Sequence, residues 1–440
     1  MTLDASAALE VDPLIDDPAT RIIVCCGAGG VGKTTTAAAL GVRAAERGRK
    51  VVVLTIDPAR RLAQSMGIDS LDNTPRRVKG IEGDGELHAM MLDMKRTFDE
   101  IVEAHADGER ARAILENPFY QSLSAGFAGT QEYMAMEKLG QLRARDEWDL
   151  IVVDTPPSRS ALDFLDAPKR LGSFLDGKFI KLLMAPAKMG GRAGMKFLNV
   201  GMSMMTGTLG KLLGGQLLRD VQTFVAAMDT MFGGFRTRAD ATYRLLQAPG
   251  TAFLVVAAPE RDALREAAYF VERLAAEEMP LAGLVLNRVH GSGATRLSAE
   301  RALAAAENLD EGGIVDQRPG KAGVRDATAA SPESPSVTHT EAVARTEAVA
   351  RTEAVDQTSV DHTAMDPTTE QLTAGLLRLH AERMQVLARE QRTRDRFTAL
   401  HPEVAVAQVP ALPGDVHDLA GLRAIGDRLA TGGQTPAGAA

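Results

Sequence analysis

Residues 27 to 34 read Gly-Ala-Gly-Gly-Val-Gly-Lys-Thr: a glycine, four residues, a second glycine, then lysine and threonine. That spacing suits the polyphosphate of a nucleotide. Glycines let the backbone turn tightly enough for successive N–H groups to face an anion, and a following helix adds the positive end of its dipole. Gly29, Gly30, Val31, Gly32, Lys33, Thr34 and Thr35 are the expected phosphate-binding residues, with Lys33 on the β- and γ-phosphates and the Thr34 hydroxyl on Mg²⁺. Asp154 ends the apolar run DLIVVD, where a carboxylate holds Mg²⁺ through water. Asp57 ends another apolar run and opens Asp57-Pro58-Ala59-Arg60. There it can face the γ-phosphate and orient or deprotonate the attacking water; its plainer role is to cap a helix after Pro58. The implied ligands are ATP and Mg²⁺, and the implied chemistry is ATP hydrolysis.

The same glycines also spell G-x-G-x-x-G, and Asp57 lies 25 residues beyond Gly32. A dinucleotide-binding loop would place that aspartate on a ribose hydroxyl. Two features favour the triphosphate reading. Lys33-Thr34 follows the last glycine directly, and a second acid, Asp154, ends a separate apolar run.

These residues need a scaffold that brings distant segments together. Apolar, β-rich runs occur at Arg21–Cys26, Val51–Ile56, Glu86–Leu92, Asp149–Asp154, Ala252–Ala257, Leu281–Asn287 and Val404–Val409. Most are continuous rather than alternating, as in strands covered on both faces by helices. Thr34–Arg47, Arg261–Glu278 and Thr369–Thr398 read as helices between them. The expected class is α/β, a mostly parallel, doubly wound P-loop NTPase sheet. Lys95–Arg145 and Asp163–Pro249 show no clear strand and read as helical insertions forming a subdomain beside the sheet.

The domain reading has a flexible N-terminus over 1–19, an ATPase domain over 20–307 and 368–430 with insertions at about 95–145 and 163–249, a disordered insertion over 308–367, and a flexible tail over 431–440. Within 308–367, Thr340–Val355 repeats TEAVAR, too short a unit to bury a core. Between Met184 and Met231 lie eight of the chain's 18 methionines, among many glycines. Such a stretch is either a loosely packed pair of core helices or a plastic groove for an apolar partner.

Composition removes several classes. With 50 basic and 58 acidic residues the chain carries a net charge of −8, and no basic stripe marks a nucleic-acid surface. Only Cys25 and Cys26 are present, so a disulfide scaffold or a four-cysteine zinc site is excluded. No apolar run reaches 18 residues, and the acidic start lacks an export signal; the expectation is a cytoplasmic protein without a membrane span.

Together, GAGGVGKTTTAAALG, TIDPARRLAQ, DTPPSRSALDFLDAPKR, LAGLVLNRV and VPALPGDVHDLAGL resemble the ArsA family of ATPases, over roughly residues 20–300 and 368–430. That family holds the arsenite-pump ATPase and the factor that delivers tail-anchored membrane proteins; the resemblance is strongest to paired actinobacterial paralogues. It implies that TIDPARRLAQ and DTPPSRSALDFLDAPKR are switches, that Asn287 hydrogen-bonds adenine, and that Pro410, Leu412 and Asp415 belong to an adenine loop. It also implies a dimer, with itself or a companion paralogue, and an apolar or membrane-protein client. The family loop usually reads G-K-G-G-V-G-K-T, its first lysine crossing to the partner's nucleotide; here that position is Ala28. A homodimer would lack both trans cations, so the resemblance points to a heterodimer with a lysine-bearing paralogue. A C-x-x-C zinc pair is absent, three thiols for a metalloid are not available, and Arg159 stands where a switch glycine is expected. The other expectations are a slow ATP-binding sensor or an anion-pump motor subunit; a DNA-partition ATPase has a similar loop, but neither a basic stripe nor an amphipathic tail supports it.

Overall fold

The computed structural model describes residues 8–57, 61–118, 120–121, 130–156, 234, 237–312 and 369–431. The seven apolar runs are strands, joined by one short extra strand: β1 (Ile22–Cys26), β2 (Lys50–Thr55), β3 (Arg76–Arg77), β4 (Glu86–Met91), β5 (Leu150–Asp154), β6 (Thr251–Ala257), β7 (Leu281–Val289) and β8 (Val406–Pro410). They form a single sheet in the order β3-β4-β2-β5-β1-β6-β7-β8. Every neighbouring pair is parallel except β3–β4. The sequence does not announce β3, because two exposed arginines carry no apolar pattern; pairing with β4 makes it a strand.

The continuous apolar runs follow from burial on both faces. Along β1, Ile22, Val24 and Cys26 enter one core with Phe98, Ile101, Tyr133 and Phe270. Ile23 and Cys25 enter the other with Ala37, Leu40, Leu422 and Ile425. A period-2 chain buried on both sides has no polar position to alternate with. One face is covered by helices Lys33–Glu46 and Leu419–Ala430, the other by Met94–His105, Thr130–Arg145 and Arg261–Ala276.

Within the first insertion, Met94–His105 and Gly108–Leu115 each start at an aspartate cap: Asp93 accepts from the Arg96 N–H and Asp107 from the Arg110 N–H, both at 2.9 Å. Of the second insertion, 237–247 is helical and packs on Thr130–Arg145. Arg238 Nε donates to Glu137 Oε1 at 2.6 Å, and a Cβ on Gly140 would stand 2.7 Å from Thr242 Oγ1. The methionine-rich stretch, the TEAVAR repeat, the second switch from Pro157 onward and residues 432–440 lie outside the described residues.

The described residues add two points to the domain reading. Residues 8–19 are not a flexible end. Ala8 bridges to Val406, Val11–Asp16 is helical, and Val11 and Ile15 are fully buried. The Arg49 guanidinium donates to the carbonyls of Ile15 (2.8 Å), Asp17 (3.1 Å), Thr20 (2.7 Å) and Asp149 (2.5 Å). Arg43 grips Asp12 at 2.5 and 2.8 Å, and Arg47 grips Asp16 one turn on. The acidic opening of the chain is thus a charge match for the basic face of the helix Lys33–Glu46. Second, the chain divides into one unit of Met1–Gly293 with Val386–Ala440 and another of Ala294–Gln385. The boundary falls inside the 32-residue helix Thr369–Leu400, whose unbroken pattern hides it from sequence reading. In the smaller unit Ala302, Ala306, Ala374 and Ala381 are buried, and His380 Nε2 lies 2.8 Å from the Leu297 carbonyl oxygen.

Ile15→Ala should lower unfolding free energy by about 2–5 kcal/mol in denaturant titration. A loss under about 0.5 kcal/mol, the surface norm, would return residues 8–19 to a loosely attached terminus.

Candidate nucleotide site

β1, β5 and β2 are adjacent and parallel, so their C-terminal ends open on one edge, where α/β sheets bind ligands. The register is tight: Cys25 on β1 and Thr55 on β2 both pair with Asp154 on β5. This places the loop after β1, the carboxylate ending β5 and the exit of β2 within one small volume. Two glycines are required by contact. A Cβ on Gly27 would lie 2.0 Å from the Val256 carbonyl oxygen, and one on Gly32, at φ +96°, would lie 2.2 Å from Asn287 Nδ2. Gly29 and Gly30 are exposed at the loop's crest. The helix Lys33–Glu46 begins at Gly32 with no side-chain cap, leaving its first-turn N–H groups open to an anion.

Asp154 is fully buried. Its Oδ2 accepts hydrogen bonds from Thr34 Oγ1 at 2.7 Å and Thr55 Oγ1 at 2.9 Å. Burial raises its pKa to about 6, although both hydroxyls and the nearby Lys33 charge pull it down. Lys33 is buried too; its Nζ donates to the Ala28 carbonyl at 2.7 Å. Burial lowers the lysine's pKa, and the Asp154 charge opposes that shift most. Asp57 is half-buried beside them, and its charge acts on both groups. The residues present fit a magnesium ion. Asp154 Oδ1 is buried with no hydrogen-bond partner, and it flanks the Thr34 hydroxyl, so a hard cation with its water shell would find oxygen partners here. Among the described residues no group of three or more His, Cys, Asp or Glu side chains gathers around a metal.

Beside the loop lies a cleft of about 670 Å³. The structure brings Gly32, Thr35, Asn287, Pro410, Leu412 and Asp415 together on its walls, though they come from three separate stretches of chain. Asn287 is partly committed already: Nδ2 donates to the Val31 carbonyl at 2.8 Å, and Oδ1 accepts from the Arg288 N–H at 3.0 Å. One amide hydrogen and one lone pair remain for a ligand in the cleft. Sequence reasoning missed Glu260, Arg288, His290 and Glu390, which also line the cleft. Arg288 had a signal of sorts, since it follows Asn287 in LAGLVLNRV; it adopts φ +59° at a register shift between β7 and β8. Glu390 had none: only the fold sets its carboxylate 2.5 Å from His290 Nδ1. Thr55 and Gln131, which act on Asp154 and the β2 exit, were also not singled out. Cys25 and Cys26 are buried free thiols; burial holds both protonated, Cys26 up to about 12.

The family model for anion-transporting ATPases matches residues 20–303. The chain belongs to the anion-transporting ATPase (ArsA) family. It is therefore an ATPase. The ATPase GET3 of Podospora anserina is 26% identical over 278 residues, covering 63% of this chain and 75% of that protein. The ATPase ARSA2 of Chlamydomonas reinhardtii is 27% identical over 313 residues, covering 68% and 76%. The ATPase GET3 of Malassezia globosa is 29% identical over 170 residues, covering 39% of this chain and about half, 49%, of its own length.

The buried Asp154 sets a pH dependence. Its folded pKa lies above the ordinary aspartate value of 3.8, so the fold disfavours the ionised form. This contribution is present below about pH 4 and is lost as pH rises through about 6. In nucleotide-free, Mg²⁺-free buffer, wild type should therefore lose about 2 kcal/mol of stability relative to Asp154→Asn between pH 4 and 7. A difference that stays flat across that range in paired thermal melts would contradict the burial account.

Proposed function

We propose that this ATPase hydrolyses Mg²⁺-bound ATP in a nucleotide-driven dimer whose site is completed by a lysine-bearing paralogue. The observation that carries this reading is Ala28. Its side chain is buried at 8% exposure in the core beneath the loop, and its carbonyl accepts the Lys33 ammonium. At this position the chain offers a packed methyl group, not a cation that reaches across an interface.

The roles follow from placement. Loop N–H groups from Gly29 to Thr35 cradle the phosphates, and Lys33 turns from the Ala28 carbonyl to the β- and γ-oxygens. The Thr34 hydroxyl and Asp154 would hold the magnesium ion. When bound, that ion neutralises charge on the phosphate oxygens. Asp57 takes the in-line water and holds it by hydrogen bond. Asn287 and the loop carrying Pro410, Leu412 and Asp415 receive adenine in the adjoining cleft. With no trans cation from a second copy of this chain, charge on the transferred phosphoryl group is balanced by the partner's lysine; cations supplied in trans to such sites are worth about 10³–10⁵ in rate.

The nucleotide state in turn governs an apolar client. The support is compositional: flexible thioethers among glycines in residues 184–231 are suited to repacking around varied apolar helices. A metalloid-pump motor is disfavoured, because the chain has two cysteines and both are buried.

ATP turnover by the full chain, alone and mixed with a paralogue carrying a GKGG-type loop, tests the pairing. Turnover should rise at least about tenfold in the mixture and fall about 100-fold or more with Lys33→Ala in this chain. Equal turnover without the paralogue would overturn the heterodimer.

A further inference from the structure

Asp57 must hold its carboxylate at a fixed angle, yet it sits on a strand exit, where backbone is least constrained. The structure shows how that exit is restrained. The peptide unit joining Ile56 to Asp57 is planar, so fixing its oxygen and its N–H fixes the plane. The Asp57 N–H donates to Thr55 Oγ1 at 3.2 Å. Thr55 Oγ1 in turn donates to Asp154 Oδ2 at 2.9 Å. The other end is held from outside the sheet: Gln131 Nε2 donates to the Ile56 carbonyl at 3.1 Å. The Ile56 N–H is taken by the Asp154 carbonyl at 3.0 Å.

Gln131 is itself well anchored. It lies in the first turn of Thr130–Arg145, the long helix of the first insertion. Two turns on, buried charges lock that helix. Tyr133 donates to Glu137 Oε2 at 2.9 Å, Arg238 donates to Glu137 Oε1 at 2.6 Å, and Lys138 Nζ meets Glu100 Oε2 at 2.9 Å. Glu137 and Lys138 are both nearly inaccessible, so rotating or sliding the helix would leave charges buried without partners. The amide of Gln131 is therefore delivered to Ile56 by a rigid element.

We propose that Gln131 is a positioning residue for hydrolysis: it fixes the Ile56–Asp57 peptide plane and, through it, the direction from which Asp57 holds the attacking water. This rests on the reading of Asp57 as the water-orienting group. It assigns the first helical insertion a part in the hydrolytic step as well as in packing.

The test is steady-state ATP turnover with separate measurement of nucleotide affinity, on the full chain, with its partner wherever turnover requires one. Gln131→Ala and the near-isosteric Gln131→Met should both lower kcat about 10- to 100-fold, because small misplacements of a reacting group cost that much. KM for ATP and nucleotide affinity should change less than about twofold, since Gln131 bonds to no phosphate-loop atom. Gln131→Lys, which keeps a donor of similar reach, should recover part of the loss. In an Asp57→Asn background, Gln131→Ala should cost nothing further, since it acts only through Asp57. Thermal melts identify any variant that merely unfolds. If Asp57→Asn lowers kcat while both Gln131 variants turn over like wild type, the positioning role is overturned and the Asp57 reading stands. If Gln131→Ala lowers kcat equally in both backgrounds, the role is likewise overturned. If Asp57→Asn itself leaves kcat unchanged, the Asp57 reading falls, and this inference with it.

Discussion

A fully buried carboxylate organises the site. Asp154 ends a strand flanked by β1 and β2, and it meets three other parts of the chain. Its Oδ2 takes hydroxyls from the phosphate-loop helix and from β2, and its main chain holds the first residue beyond β2. Two hydroxyls do not offset the cost of burying it, which is why its pKa rises to about 6 and its second oxygen has no partner. A site built this way stores a need for positive charge. A hydrated cation carried by phosphate oxygens would meet that need, and would so couple ligand binding to the ends of β1, β2 and β5 at once.

Lysine burial completes the same logic. Lys33 is buried beside it, its ammonium held by the Ala28 carbonyl, so the loop is closed upon itself. Ala28 contributes a carbonyl inward and a methyl group to the core, and nothing charged outward. The shape of this loop explains why one residue carries so much of the functional reading. The parallel sheet does not depend on residue 28, whereas in the proposed pairing the charge offered to a partner subunit does.

Much was legible in advance because the signals are local. The P-loop spacing needs only glycines, a lysine and a threonine in one stretch. Seven strands announced themselves through burial on both faces, which removes polar alternation. Where the reading failed, the missing information was a partner. Residues 8–19 carry too little apolar pattern to declare themselves ordered; their order comes from Arg43, Arg47 and Arg49, which lie on or next to another helix. β3 exists because β4 is there to pair with. Asn287 was placed at the base, yet its amide also ties β7 to the loop backbone at Val31, a bond between residues 256 apart in sequence.

The sequence by itself determined the chemistry on offer: a polyphosphate loop, acids at the ends of apolar strands, alanine in place of an outward lysine, and too few thiols for a metalloid site. These are properties of residue type and short spacing, and no fold can change them. Only the tertiary structure decided which acid is buried and which is half-exposed, that Thr55 and Gln131 hold the backbone around Asp57, and that Glu390 reaches the cleft beside the loop. Those depend on strand order and on the docking of helices far apart in the chain. Burial and hydrogen-bond geometry are set by neighbours in space, and a linear pattern does not name them.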